Sequence, residues 1–306
     1  MPPAIPLSPS RAALAAAALF ALALTGCAPQ DDDTQSSAPS SPPSSSAAGS
    51  GSPSAAACAP GALATHSPGK LTIGTDKPAY DPWFSDDDPS NGKGYESAVA
   101  YAVAERLGYP PDRVVWQTVP FNSAFSPGVK DFDFDLDQVS INADRKKAVD
   151  FSPGYYDVRQ AVVARKGSKI ADAHSLADLK DAKLGAQVGT TSLDAITGTV
   201  RPSKQPAVYQ RNDLAVAALK NGQVDGIVVD LPTAFYITGA EVTDAKVIGQ
   251  FDDTGGAPEQ FGLVLDKGSE LTSCVSRAVT GLRADGTLAA LDKRWLSDAV
   301  DAPVLK

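Results

Sequence analysis

Between Phe132 and Asp137 the chain alternates strictly, Phe-Asp-Phe-Asp-Leu-Asp. Successive side chains of a strand point to opposite faces, so Phe132, Phe134 and Leu136 should share an apolar face and the three aspartates a polar one. The alternation then stops. Gln138 to Arg145 is a polar segment carrying Ser140, Asn142 and Arg145, followed by Lys146-Lys147 and an apolar close at Tyr155-Tyr156. A strand that delivers polar side chains into the loop at its carboxyl end is the expected layout of an open α/β sheet, whose ligands bind outside those ends. Arginine suits such a place because its planar fork meets a carboxylate through two hydrogen bonds and stays charged. The plainer alternative is a solvated basic run, Arg145-Lys146-Lys147, on a surface loop.

Strand and helix signals alternate along the rest of the chain. Leu71–Thr75 reads as a strand followed by Asp76 and a proline-punctuated loop, Lys77 to Phe84, that holds Tyr80 and Trp83. Glu96–Leu107 has an apolar helical stripe and Gly108 as its stop. Val114–Val119 is the next strand, with Phe121 and Phe125 just beyond it. Further strands fall at 161–168, 183–188 and Gly226–Val229, the last ending in Asp230. Helices fit 176–179, 192–196, 214–219, 270–284 and 287–296, with Trp295 packing on the core. This alternation predicts an α/β protein with largely parallel sheets. Arg145, Thr191 and Asp230 then fall at equivalent strand ends. A cationic fork and a hydroxyl suit a carboxylate, and a lone carboxylate suits an ammonium. Together they describe a zwitterion such as an α-amino acid.

At 306 residues the chain is long enough for two lobes. Residues 1–26 read as a secretory signal: Arg11 is the only charge, and the apolar run from Ala12 to Leu24 is short for a membrane-spanning helix. That run ends Leu-Thr-Gly-Cys, which resembles the lipobox of bacterial lipoproteins. The resemblance implies acylation (palmitate) of Cys27 as the first mature residue; the alternative is a plain signal with an incidental cysteine. Of residues 28–57, 24 of 30 are Ser, Pro, Ala or Gly and none is aromatic, so they cannot bury enough surface to offset their ordering entropy. They read as a disordered tether.

Losing Arg11 with the signal takes the formal charge from −9 to −10. That balance argues against nucleic acid and against an anionic bilayer as surface partners. With Cys27 acylated, Cys58 and Cys274 remain, and an oxidising compartment permits a disulfide between them; two buried thiols are the alternative. The two histidines, His66 and His174, lie in polar loop contexts, and no close ligand spacing suggests a metal.

The order of these segments resembles the family-3 extracellular solute-binding proteins, the amino-acid receptors of ABC importers. The resemblance is carried, in order, by LTIGTDKPAYDPWF, GYESAVAYAVAERLG, FDFDLDQVSINADRKKAVDFSPGYY, AQVGTTSLDAI, ALKNGQVDGIVVDLPTA and GLRADGTLAALDKRW. It implies a two-lobe, type II periplasmic-binding-protein-like α/β fold with two hinge strands and a ligand cleft between the lobes. Residues 58–156 plus 261–306 would form lobe 1 and 157–260 lobe 2. By motif, Arg145 would clamp an α-carboxylate with Ser140 and Thr191 adding hydrogen bonds, and Asp230 would pair with the α-ammonium. Tyr80 and Phe121 would sandwich the ligand's side chain, and Asp76, Asp137 and Gln138 would set its selectivity. Trp83 is as readily core as clamp, and Asp225 reads as structural.

Three positions depart from the family pattern. Asn142 stands for a threonine, Ala98 for a second acid, and Asp137 for a residue more often neutral. Two acids and an amide favour a polar or cationic side chain. The resemblance further implies a monomer held by its lipid on the outer face of the membrane, partnered by a permease and its ATPase, with no cofactor. Two other readings exist: a prephenate-like dehydratase of the same fold, without any nucleophile–histidine pair, and a ligand-sensing lipoprotein not coupled to transport.

Overall fold

The computed structural model describes residues 58–251, 258–296 and 302–306; the expected signal, Cys27 and the tether lie outside them. The strands are β1 (Leu71–Thr75), β2 (Val114–Thr118), β3 (Phe134–Asp135), β4 (Val149–Phe151), β5 (Tyr156–Val158), β6 (Gln160–Arg165), β7 (Leu184–Gln187), β8 (Ala207–Tyr209), β9 (Gly226–Asp230), β10 (Ala245–Phe251), β11 (Glu259–Phe261) and β12 (Val264–Asp266). The α-helices are α1 (Tyr95–Arg106), α2 (Phe121–Ala124), α3 (Arg145–Ala148), α4 (Thr191–Ala195), α5 (Asn212–Lys220), α6 (Leu231–Tyr236), α7 (Thr272–Ala284) and α8 (Thr287–Trp295).

Two five-stranded sheets organise two lobes. In the first, of order β2-β1-β3-β12-β4, β1 is buried at all five positions because it lies between two parallel neighbours. One face packs with α1 and α7 through Ile73, Val99, Val103, Val279 and Leu282, and Trp295 is half-buried against the same cluster. A disulfide joins Cys58 to Cys274 on α7. The second sheet, of order β10-β6-β9-β7-β8, is covered on both faces. Val162 and Ala164 of β6 enter one apolar cluster while Ala161 and Val163 enter the other, the period of two expected of a strand. Antiparallel β5 and β11, paired from Tyr156–Phe261 to Val158–Glu259, join the lobes.

The sheets are mixed rather than largely parallel. β12 runs antiparallel to β3 and β4, and β6 runs antiparallel to β9 and β10. A chain that crosses a hinge enters the next sheet from the cleft side, opposite in direction to the strands that end there.

The Phe132–Asp137 alternation also behaves differently from its period. Only Phe134 and Asp135 join the ladder, and all six side chains are buried. Phe134 and Leu136 enter the core with Trp83 and Tyr95, whereas Phe132 packs with Val119 and Ala124. The aspartates are therefore interior groups. Asp133 accepts the backbone N–H groups of His66 and Thr72, each at 2.6 Å.

The chain end departs from its expected place in lobe 1. Residues 302–306 lie along β10 of the second sheet, where Gln250 donates to Pro303 O at 2.7 Å and Leu305 donates to Gln250 O at 2.9 Å. Leu305 is buried in that lobe's core. Gly249 makes the seat: a Cβ there would stand 2.6 Å from Pro303 O and 2.7 Å from Leu305 Cγ.

Candidate functional site

Eight of the nine expected ligand residues line one enclosed cavity between the lobes: Asp76, Tyr80, Phe121, Asp137, Gln138, Arg145, Thr191 and Asp230. Ser140 lies outside the lining, and its hydroxyl meets Thr191 Oγ1 at 3.2 Å and donates to Glu259 Oε1. The enclosed space is about 30 Å³, and the lobes touch around it. Tyr80 Oη donates to Asp213 at 3.2 Å, Trp83 Nε1 to Thr233 at 2.9 Å, and Arg145 Nη2 to Gly189 O at 2.9 Å.

Arg145 opens α3. Its N–H donates to Asn142 Oδ1 at 2.8 Å, so the asparagine that departs from the family pattern organises this turn. Arg145 is 7 % exposed, and its guanidinium donates from Nη1 to Ser140 O at 2.7 Å and lies 4.2 Å from the centre of the Phe125 ring. Such stacking holds the fork in place without using its outward donors. Burial brings its pKa down to about 10, with Glu259, Asp194 and Asp230 opposing, so it remains a cation at neutral pH.

Thr191 faces the cavity because the preceding Thr190 is the N-cap of α4, its side chain accepting from Leu193 N at 3.1 Å. Asp230 ends β9 and passes straight into α6 through Leu231-Pro232, with proline where a helix start lacks a partner for the N–H anyway. Burial pushes its carboxyl well up, and the charge of Glu259 adds to that. Tyr80 sits on the loop after β1, its phenol pushed up by burial. Phe121 opens α2, edge-on to Phe125 at 5.2 Å.

The remaining expected residues are less free than the sequence suggests. Asp76 accepts the Lys77 N–H at 2.7 Å and the Phe121 N–H at 3.2 Å, so its carboxylate fixes the two loops that carry the rings. Gln138 adopts a positive φ of 48° and donates to Glu96 from its backbone N–H at 2.8 Å and from its side-chain amide. Glu96 also accepts from Tyr155 Oη, and burial pushes it up to about 7. Trp83 is core, fully buried against Tyr95, Tyr156 and Phe261. Asp225 accepts the Lys183 N–H at 2.6 Å away from the cavity.

Three residues at the cleft were not anticipated. Gln160 starts β6 and donates from Nε2 to Asp230 Oδ1 and to Glu259 Oε2, each at 3.0 Å, while its Oε1 accepts from Ser192 Oγ at 2.6 Å. Glu259, 8 % exposed, starts β11. Gln160, Ser192 and Glu259 thus tie β6 and the hinge strand β11 to α4 and the end of β9. Their signal is weak in sequence because Gln160 and Glu259 occupy amino ends of strands. Chemically, the cavity lining carries the Arg145 guanidinium, the carboxyl groups of Asp76, Asp137 and Asp230, the Thr191 hydroxyl and the rings of Tyr80 and Phe121. His66 and His174 stand outside it, so no acid–base histidine serves it.

Residues 71–298 match the family described as bacterial extracellular solute-binding proteins, family 3. The chain is 29 % identical over 239 residues to the arginine-binding extracellular protein ArtP of Bacillus subtilis strain 168, spanning 74 % of this chain and 86 % of that one. With the L-cystine-binding protein TcyA of the same strain it shares 30 % identity over 236 residues, 76 % and 83 % of the two chains. A solved ancestral arginine-binding protein bound to arginine aligns with a TM-score of 0.61 at 29 % identity, over 74 % of this chain and 98 % of its own. These relatives are binding proteins, not enzymes, and their family works outside the cytoplasm. With its two-lobe, type II periplasmic-binding fold, the chain belongs to the family-3 bacterial extracellular solute-binding proteins.

Proposed function

We propose that this chain captures an α-amino acid by lobe closure and delivers it to the membrane permease of an ABC importer. The observation that carries this reading is the presence of Arg145, Thr191 and Asp230 on the wall of one cavity between the lobes. Arg145 would take the α-carboxylate with Thr191, and Asp230, held by Gln160, would take the α-ammonium. Ser140 supports Thr191 and Glu259 rather than the ligand. Tyr80 and Phe121 would sandwich the side chain. Members of this family bind amino acids and work with ABC permeases. Closure follows from ligand contacts on both lobes, because a ligand shifts the open–closed balance only by its differential affinity for the two states.

A thermal-shift series of the mature chain against the twenty amino acids tests this reading. A ligand that binds only the folded state stabilises it by about 2.7 kcal/mol at a hundredfold excess over Kd. A rise in Tm with one chemical group of amino acids is expected; no rise with any would remove the reading.

The chain would be held at the outer face of the membrane through lipid on Cys27, with residues 28–57 as spacer. Two acyl chains anchor stably where one does not. Cys27→Ala should therefore shift the protein from the membrane fraction to the medium; retention of the variant on the membrane would exclude this anchor.

A further inference from the structure

Behind the cavity wall, β3 and the turn after it bring carboxyl groups together. Asp137 lines the cavity and is 7 % exposed, and its Oδ2 has no hydrogen-bond partner among the described residues. Asp135 is fully buried, and neither of its oxygens has one. Gly74 of β1 makes room for it: a Cβ there would stand 2.6 Å from Asp135 Oδ2.

The groups facing this pair are mostly acidic. Asp76, at the end of β1, offers its backbone N–H to Asp137, but its carboxylate adds negative charge. Glu96 of α1 adds more, and its own oxygens are taken by Gln138 and Tyr155. Lys130, before β3, is the cation felt at Asp135; its ammonium donates to the carbonyls of Ser123 and Ser126 and is also drawn by Asp266 of β12. On the same cavity lining Gln187 and Asn212 are neutral, Arg145 carries a guanidinium and Asp230 a carboxyl group.

Buried carboxylates without partners are expensive, and each neighbouring charge makes ionising the next one harder, so burial together favours the protonated form. Burial first, and the neighbouring carboxylates next, push both groups well above the usual carboxylate range.

We propose that the cleft selects an amino acid whose side chain ends in a guanidinium or ammonium set against Asp137, and that its arrival expels the proton held by the Asp135–Asp137 pair. This rests on the amino-acid reading above. The carboxyl O–H gives its proton to solvent buffer and the ligand cation takes its place, with no other bond made or broken. Because the cation favours the ionised carboxylate, affinity for a cationic ligand rises with pH, up to about tenfold per unit while the proton is being released. A ligand with a neutral side chain has no such slope.

Isothermal titration of the mature chain carrying Cys27→Ala, with arginine, lysine and glutamine in buffers of different ionisation enthalpy, counts the protons. Arginine or lysine should release about one proton and glutamine about none. Asp137→Asn should abolish the release and weaken arginine or lysine at least about tenfold more than glutamine. Asp135→Asn, which leaves Asp137 in the wall, should also reduce the release, so the test does not hang on one variant's folding. Binding of arginine or lysine without release, release that survives Asp137→Asn, or binding of glutamine alone would overturn the proposal and leave the amino-acid reading intact. Failure of every amino acid to bind overturns both.

Discussion

Arg145→Ala is expected to weaken amino-acid binding by about 3–5 kcal/mol, a loss of more than about a hundredfold in Kd. Arg145 is 7 % exposed, its side chain seated on Phe125 and fixed by the carbonyls of Ser140 and Gly189. Its outward donors are therefore oriented before any ligand arrives, and little rotamer freedom is lost on binding. Truncation would leave a desolvated α-carboxylate facing the carboxyl groups of Asp230 and Glu259 without a cation. Arg145→Lys keeps the charge but not the planar fork, so it should recover part of the loss and not all. Calorimetric titration reads both variants. Affinity in Arg145→Ala equal to that of the parent chain would remove the carboxylate clamp. The bond to Gly189 O crosses the cleft, so a second effect on closure is expected in the same direction.

The second large effect is on stability. Breaking the Cys58–Cys274 bond, by reduction or by the paired Cys58→Ser and Cys274→Ser substitutions, should cost up to about 5 kcal/mol by the chain-entropy relation. The sequence separation of 216 residues makes the closed loop nearly as long as the folded region. Both cysteines are buried, at 2 % and 3 % exposure, in the core formed by β1, α1 and α7. The bridge thus fastens the first described residues to a helix contributed by the other end of the chain. Urea unfolding with and without reductant gives the difference directly. A midpoint unmoved by verified reduction would show that the bridge adds nothing to folding stability.

Local chemistry made much of this molecule legible. Apolar runs flanked by glycine and proline mark β1, β7 and β9, and the stripe of Val99 and Val103 marks α1, because burial and turn geometry act over a few residues. The polar residues that follow strands lead directly to Arg145, Thr191 and Asp230, since parallel strands deliver their carboxyl ends to one edge of a sheet.

Other features depend on which segment meets which. Gln160 and Glu259 reach the cleft because the chain reverses direction at the hinges, so the amino ends of β6 and β11 also point there. No pattern within either strand encodes that reversal. Alternation at Phe132–Asp137 suggests a solvated acidic face, yet Asp133 is buried to accept two backbone N–H groups and Asp135 to lie over Gly74. The tail at 302–306 settles on the second lobe because Gly249 leaves it a seat, a complementarity between positions more than fifty residues apart. Short-range periodicity specifies elements and their apolar sides. Which polar groups end up sharing one small cavity is set by packing between elements distant in the chain, and that packing also shifts their proton affinities.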